Sequence, residues 1–174
     1  MVDFKPRHEI VSVEPEIAVM VVSNSRFRML LRDGKVDDES GTLAVKLLRE
    51  RFERVHGPIY VPNDADIVKA YVRSLSRDFS INTIITIGGT GPSRRDRTVD
   101  AVSDIGRELP GFGELFRRLS EARIGVHAML SRAGAYVCES CVVFCLPGSP
   151  DAVELAIREL IIPALGHILS EIFR

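Results

Sequence analysis

The residues best suited to chemistry form a glycine-rich stretch that follows a short β-branched run, residues 84–87. This glycine loop reads GGTGPSRRDR from Gly88 to Arg97, and a helical pattern opens at Thr98. Glycine directly after a buried strand allows positive φ and a close approach of the backbone to a bound group. Such a turn directs several N–H groups at one point, and the guanidinium groups of three arginines add positive charge. The loop therefore predicts a site for an anion such as phosphate.

Asp96 is the one acid within the glycine loop. A carboxylate repels an anionic ligand unless a cation lies between them, and Mg²⁺ is the usual cation beside nucleotide phosphates. The spacing leaves two interpretations open. In the first, Asp96 holds such an ion; in the second, it caps the next helix or pairs with a neighbouring arginine. The loop matches neither of the general nucleotide-binding patterns GxxxxGK[ST] and GxGxxG.

A second candidate anion site is the distal turn, Pro147-Gly148-Ser149, which directly follows the apolar run Cys141–Leu146. A strand again leads into glycine and then into the start of a helix. Ser149 can be the N-cap of that helix, with Pro150 as its first residue. A well-capped helix without any ligand explains the same residues equally well.

Three cysteines lie close together in the sequence, at Cys138, Cys141 and Cys145. The first two have the spacing of half a zinc site, but the chain contains no second pair of this kind. We therefore predict structural cysteines in two strands joined by a tight turn at Glu139-Ser140. The sequence does not decide whether a disulfide forms across this hairpin.

The elements that position these residues alternate between strands and helices. Buried strands are predicted at 17–22, 59–61 and 84–87, each separated from the next by a helical pattern. This order predicts an α/β fold, with a mostly parallel central sheet, helices on both faces and an antiparallel hairpin near one edge. Ligands bind beyond the carboxyl ends of such strands. We therefore expect residues 23–25, 62–64 and 88–96 to line one rim.

The remaining elements are predicted from periodicity and from glycine and proline. Residues 26–41 are read as a loop, although Phe27–Leu31 could form a short turn, and residues 126–132 are read as a strand. Helices are expected at 42–55, after residue 64 and from 98 to 109. In the second of these helices, Ile67, Tyr71, Leu75 and Phe79 are predicted to share one face. A final helix from Asp151 should be interrupted at Pro163, and its apolar residues are assigned either to a subunit interface or to the core.

Composition limits the function classes. The chain has 174 residues and a net charge of −1, which argues against a nucleic-acid or anionic-membrane partner. No signal peptide pattern and no membrane-length apolar run is visible, so we expect a cytoplasmic protein. We divide the chain into an N-terminal arm at residues 1–15 and a single domain at residues 16–174.

Four collinear motifs resemble the MoaB/MogA family of molybdenum cofactor biosynthesis. The motifs are Gly88-Gly89-Thr90-Gly91 with Arg95-Asp96 and Thr98, Leu109–Glu114, Leu130–Ala133 and Leu146–Pro150. The resemblance runs from about Ile17 to about Leu169, nearly the whole chain. The resemblance implies molybdopterin adenylyltransferase activity, with ATP and molybdopterin as substrates and Mg²⁺ as cofactor. It also implies a homo-oligomer, either a trimer or a dimer of trimers.

The resemblance assigns roles to particular residues. Asp96 is a candidate catalytic residue that also holds the Mg²⁺. Asp64 is the second candidate catalytic residue, provided that a one-residue shift brings it to the position of the family's other aspartate. The candidate phosphate-, nucleotide- or pterin-binding residues are Ser23, Gly88, Gly89, Thr90, Gly91, Arg95, Ser131, Arg132, Pro147, Gly148 and Ser149.

One position departs from the family pattern. The family carries a second functional aspartate after the proline that ends strand two, and an ungapped alignment places Asn63 there, with Asp64 next to it. Asparagine is a poorer Mg²⁺ ligand because it lacks charge. Two alternatives therefore accompany adenylyl transfer: a non-catalytic molybdopterin-binding or carrier protein, and a nucleotide hydrolase of the CinA type.

Overall fold

The computed structural model describes residues 13–77 and 80–174. A six-stranded sheet in the order β2-β1-β3-β6-β5-β4 forms its centre. The strands are β1 (Glu16–Val22), β2 (Arg54–Val61), β3 (Thr83–Ile87), β4 (Arg107–Glu108), β5 (Gly134–Cys138) and β6 (Cys141–Leu146). The α-helices are α1 (Asn24–Asp33), α2 (Glu39–Arg49), α3 (Ala65–Arg77), α4 (Thr98–Ser103), α5 (Pro110–Ile124), α6 (Pro150–Ala156) and α7 (Ile162–Ile172).

Four strands of the sheet are parallel, because β1 pairs in parallel with β2 and β3, and β3 with β6. The strand β5 pairs antiparallel with β6 and with the short edge strand β4. The predicted α/β fold, with its mostly parallel sheet and its hairpin near one edge, is confirmed. The parallel register brings the carboxyl ends of β1, β2, β3 and β6 to the same rim.

Helices cover both faces of the sheet. Along β3 and β6 alternate residues point to opposite faces, so Ile85 and Phe144 join one core and Ile84 and Val143 the other. Residues of α2, α5, α6 and α7 pack on the first face, and residues of α3 and α4 on the second. Burial on both faces explains why the central strands are continuous apolar runs.

The region predicted as a loop at 26–41 contains α1 and the start of α2, so that prediction is wrong. The Ser23 hydroxyl caps α1, and Gly34 ends it with φ of 64°. No residue of α1 is buried, and arginines alternate with its apolar residues, although both end signals of a helix are present. Asp38 caps α2 by accepting from the Gly41 N–H at 3.2 Å, and its buried carboxylate pairs with Arg26.

Two further boundaries differ from the prediction. The helix expected over 42–55 ends at Arg49, and β2 already starts at Arg54. Gly57-Pro58, expected to stop that helix, lies inside β2, opposite an irregularity in β1 between Ala18 and Met20. Pairing with β1 decides the conformation here, against the local helical pattern.

Residues 126–132 are not a strand. Gly125–Leu130 form a 3₁₀ helix in which only Ala128 is buried. The helix expected over 98–109 ends at Ser103, and β4 follows it. In both places the sequence pattern is compatible with two elements, and for residues 107–108 the antiparallel pairing with β5 decides in favour of a strand.

The buried face of α3 is also different from the predicted one. Val68 and Val72 are fully buried, whereas Ile67 and Tyr71 are 37% and 41% exposed. Leu75 packs against the core as predicted, so Ile67 and Tyr71 are the residues that depart from the expected face. Phe79 lies outside the described residues.

The C-terminal region is interrupted as expected. A π-helical segment, Ile157–Ile161, separates α6 from α7, and Pro163 lies in the first turn of α7. Ile161, Leu165 and Leu169 are fully buried within the monomer, so the core accounts for these residues.

The three cysteines are buried in the hairpin and carry free thiols. Burial raises the pKa of Cys138 to about 11 and that of Cys145 to about 12, so both are neutral at physiological pH.

Residues 1–12 of the predicted N-terminal arm lie outside the described residues. Of its remaining part, Val13 packs against the core, and the Glu14 carbonyl accepts from Asn82 Nδ2 at 2.8 Å. Within the described part of the chain, no helix combines the length and apolar character needed to cross a membrane.

Candidate functional site

The rim of the sheet is occupied by three turns that follow β2, β3 and β6. Residues 62–64 follow β2, the glycine loop follows β3, and the distal turn follows β6. The N–H of Gly88 donates to the carbonyl of Leu146 at 2.9 Å, which holds the last two turns side by side. The predicted convergence of residues 23–25, 62–64 and 88–96 at one rim is confirmed, because β1, β2 and β3 are parallel and Asn63 bonds both to Asn24 and to Arg95.

Two glycines of the glycine loop have conformations that other residues rarely adopt. Gly88 has φ of 100° and Gly89 has φ of 67°. A Cβ atom at Gly88 would lie 2.6 Å from the carbonyl oxygen of Val22, and one at Gly89 would collide with Thr98 Oγ1. Both positions therefore require glycine, one against the neighbouring strand and one against the following helix.

The carbonyl groups of the loop are bound to the protein. Thr98 donates from Oγ1 to the Gly88 carbonyl at 2.8 Å and from its N–H to the Gly89 carbonyl at 3.1 Å. The Arg132 N–H donates to the Thr90 carbonyl at 3.0 Å. In contrast, the N–H groups of residues 89–91 donate no hydrogen bond to any of the described residues. Three successive donors are thus left available, as an anion-binding turn needs.

Asp96 lies beside these donors. Its Oδ2 accepts from the Ser93 N–H at 3.2 Å, and a Cβ at Gly91 would lie 2.8 Å from the same oxygen. The N-cap of α4 is Arg97, without a side-chain capping bond. Among the described residues, no arginine pairs with Asp96 within 4 Å. Neither the helix-cap nor the ion-pair interpretation of Asp96 is therefore realised.

The glycine loop forms one wall of a cleft of about 460 Å³. Nine of the predicted site residues line it, and they are Gly88, Gly89, Thr90, Gly91, Asp96, Ser131, Pro147, Gly148 and Ser149. The opposite wall holds its shape through Ser40, whose buried hydroxyl donates to the Gly148 carbonyl at 2.7 Å. Ser149 is the N-cap residue of α6, as predicted, but its hydroxyl makes no capping bond.

Sequence reasoning missed the part of the cleft that comes from α5 and the 3₁₀ helix. The residues missed from α5 and the 3₁₀ helix are Phe116, Ser120, Ile124, Ala128 and Leu130. Pro92 of the glycine loop and Ala152 of α6 also line the cleft and were not predicted. Most are apolar and give the cleft a surface suited to a flat, partly apolar ring system. The amphipathic pattern of α5 was the available signal, but it is equally typical of a helix that only packs on a sheet.

Four predicted site residues lie outside the cleft lining. Ser23 caps α1, and the side chain of Arg95 is exposed to solvent. Arg132 pairs with Asp100 of α4 at 3.0 Å. Asp64 is exposed, and its Oδ1 accepts from the N–H groups of residues 66 and 67 at 3.0 and 3.1 Å, as an N-cap of α3 does.

Comparison with known proteins gives the site a family. The model of the family described as "Probable molybdopterin binding domain" matches residues 18–167. The chain belongs to this molybdopterin-binding family. The predicted resemblance is thereby confirmed, and the match includes every residue that lines the cleft.

Individual members of the family share both sequence and fold with the chain. The probable molybdopterin adenylyltransferase of Methanocaldococcus jannaschii is 36% identical over 156 residues, which cover 89% of this chain and 92% of that protein. The crystal structure of a molybdenum cofactor biosynthesis protein B superimposes with a TM-score of 0.83 at 37% identity, covering 94% and 99% of the two chains. The crystal structure of the tungsten cofactor synthesizing protein MoaB from Pyrococcus furiosus superimposes with a TM-score of 0.81 at 30% identity. The match covers 92% of this chain and 98% of that chain.

Proposed function

We propose that this protein is a molybdopterin adenylyltransferase in the biosynthesis of the molybdenum or tungsten cofactor. In this reaction an oxygen of the terminal molybdopterin phosphate forms a bond to the α-phosphorus of ATP. The bond between the α-phosphorus and the oxygen that bridges it to the β-phosphorus breaks, and pyrophosphate leaves with the electron pair of that bond. The products are adenylylated molybdopterin and pyrophosphate. The similarity to the M. jannaschii protein supports this activity.

The observation that carries the proposal is the set of three N–H groups at residues 89–91 that make no hydrogen bond within the described part of the protein. These residues line a cleft whose other lining residues are partly apolar. Transfer of a phosphoryl-type group requires mainly that the reacting phosphates are positioned and that their charge is neutralised. The N–H groups bind and orient a phosphate, and the apolar surface near Phe116 and Ala152 accommodates the pterin. Arg94, Arg95 and Arg97 supply positive charge at the entrance to the site.

The resemblance also implies Mg²⁺. The residues of the site could bind this ion through one carboxylate, that of Asp96, together with the phosphates of the substrate. No group of three His, Cys, Asp or Glu side chains converges on a metal site among the described residues. Mg²⁺ commonly binds through one or two carboxylates together with substrate phosphates, which needs only Asp96 on the protein side. When bound, the ion would neutralise charge on the phosphates. Asp96 would hold it at the edge of the N–H cradle.

The test is a turnover assay with ATP, Mg²⁺ and molybdopterin that follows pyrophosphate release and product formation. Asp96→Asn should lower turnover by about 100-fold or more, since loss of a correctly placed charge costs several kcal/mol. Molybdopterin binding should hold or strengthen, because less like-charge repulsion remains. Asp66→Asn is the matched control, since this exposed acid of α3 lies outside the cleft. Turnover of Asp96→Asn within about threefold of the parent would remove Asp96 from catalysis.

One observation favours a second candidate, a non-catalytic molybdopterin-binding or carrier protein. Among the described residues that line the cleft, Asp96 is the only carboxylate, because Asp64 caps α3 instead. Molybdopterin binding without pyrophosphate release in the same assay would establish this candidate.

We also propose a homo-oligomer, with a trimer as the expected state. Large apolar side chains are exposed at the end of α5 and on the 3₁₀ helix, where Val126 is 74% and Met129 76% exposed. Such a patch is typical of an association surface. Val126→Glu should yield monomers in light scattering, whereas Leu31→Glu, at a 72% exposed position on α1, should not. A monomeric parent protein would contradict the proposal.

A further inference from the structure

Asn63 joins the turn after β2 to the glycine loop. Its Nδ2 donates to the carbonyl of Arg95 at 2.6 Å, and its Oδ1 accepts from the N–H of Arg97 at 3.3 Å. The backbone N–H of Asn63 donates in turn to Asn24 Oδ1 at 2.9 Å. The side chain therefore bonds to the residue before Asp96 and to the residue after it.

The two backbone partners of the Asn63 side chain determine which hydrogen-bonding groups are needed at position 63. A backbone carbonyl can only accept a hydrogen bond, and a backbone N–H can only donate one. A side-chain amide supplies both complements at once. An ionised carboxylate has no donor, so an aspartate at this position would direct an anionic oxygen at the Arg95 carbonyl. The contacts favour asparagine over aspartate at position 63.

Among the described residues, the other hydrogen bonds of this part of the loop stay within the loop. Asp96 bonds only to Ser93, within the loop, and the N–H of Arg95 donates to the hydroxyl oxygen of Ser93 at 3.2 Å. Among the described residues, Asn63 is the only group beyond the loop that bonds to residues 92–96. The position of the Asp96 peptide relative to the N–H cradle therefore depends on the Asn63 amide.

We propose that Asn63 is a positioning residue that holds Asp96 in place, and that its amide is required for this role. The proposal rests on the proposed function, because it acts through Asp96 in that reaction. It gives the departure from the family pattern at this position a physical reason. Introducing aspartate at 63 should lower turnover instead of raising it.

The first test compares Asn63→Ala and Asn63→Asp in the turnover assay. Both variants should lower kcat by about tenfold or more, with a smaller change in the KM for ATP, because the affected group acts in the transition state. In the Asp96→Asn background, Asn63→Ala should cause no further loss, since residues that act as a unit are not additive. A gain of turnover in Asn63→Asp, or a full additional loss in the double variant, would overturn the proposal.

The second test needs no activity. Limited trypsin digestion, followed by mass spectrometry, measures cleavage after Arg94, Arg95 and Arg97 relative to the exposed Arg51. Release of the loop should speed its cleavage by about fivefold or more in both variants, because proteolysis follows local opening. Cleavage at the parent rate would overturn the proposal whatever the turnover. If the parent protein shows no adenylyl transfer, the proposed function fails, while faster cleavage still supports Asn63 as the group that holds the loop.

Discussion

The glycine loop and the distal turn look alike in sequence but are built differently. Each follows a central parallel strand, contains glycine and leads into a helix. In the glycine loop, positive φ angles and contacts to Val22 and Thr98 exclude any side chain at residues 88 and 89. Gly148 has no positive φ, and a Cβ there would approach only Gly88 Cα, at 3.7 Å. The backbone itself forms the first wall of the cleft, whereas a side-chain hydroxyl from α2 holds the second.

This comparison predicts the largest effect for Gly89→Val. The side chain would collide with Thr98 Oγ1 and crowd Asn63 Oδ1, and the backbone would be strained at φ of 67°. We expect a folded protein that is less stable by about 3 kcal/mol and no longer binds nucleotide or molybdopterin. Calorimetry measures the binding, and Gly166→Val on the exposed side of α7 is the control. Binding at the parent affinity would remove the loop from the site.

Thr98→Val should have the next largest effect. The substitution keeps the shape of this fully buried side chain but removes the bond from Oγ1 to the Gly88 carbonyl. A lost buried hydrogen bond costs about 1–2 kcal/mol, which urea denaturation measures. No change in stability would mean that the backbone alone fixes the loop.

Ser40→Ala tests the other wall. It removes the bond from Oγ to the Gly148 carbonyl, but Gly148 is exposed, so water can replace the lost partner. We expect a loss of about 1 kcal/mol or less, together with a weaker affinity for molybdopterin. An effect larger than that of Thr98→Val would reverse the order that the comparison gives to the two turns.

Gly148→Ala should be the mildest change. The new methyl group would make an ordinary van der Waals contact with Gly88 and meet no backbone strain. The free energy of unfolding should stay within about 0.5 kcal/mol of the parent value. A loss as large as that of Gly89→Val would show that the distal turn also requires glycine.

The central fold and most of the cleft residues could be predicted because their signals are local. The apolar runs of β1, β3 and β6, the glycines after β3 and the Ser-Pro start of α6 each have one ready interpretation. The errors have a different origin. Residues 54–58 and 126–130 carry patterns compatible with two elements, and α1 has end signals at Ser23 and Gly34 but no buried residue to support them. A tertiary neighbour, or its absence, decides such segments.

The sequence by itself determined the alternation of strands and helices, the rim where the parallel strands end and the two turns that meet there. It did so because periodicity, glycine and proline act over a few residues. Only the tertiary structure decided what the polar side chains of the rim do. Asp64 turns away to cap α3, Asn63 reaches across to the glycine loop, and Asp96 faces the cleft. Three neighbouring polar residues thus separate into different roles, because the direction of a side chain depends on partners that are distant in sequence.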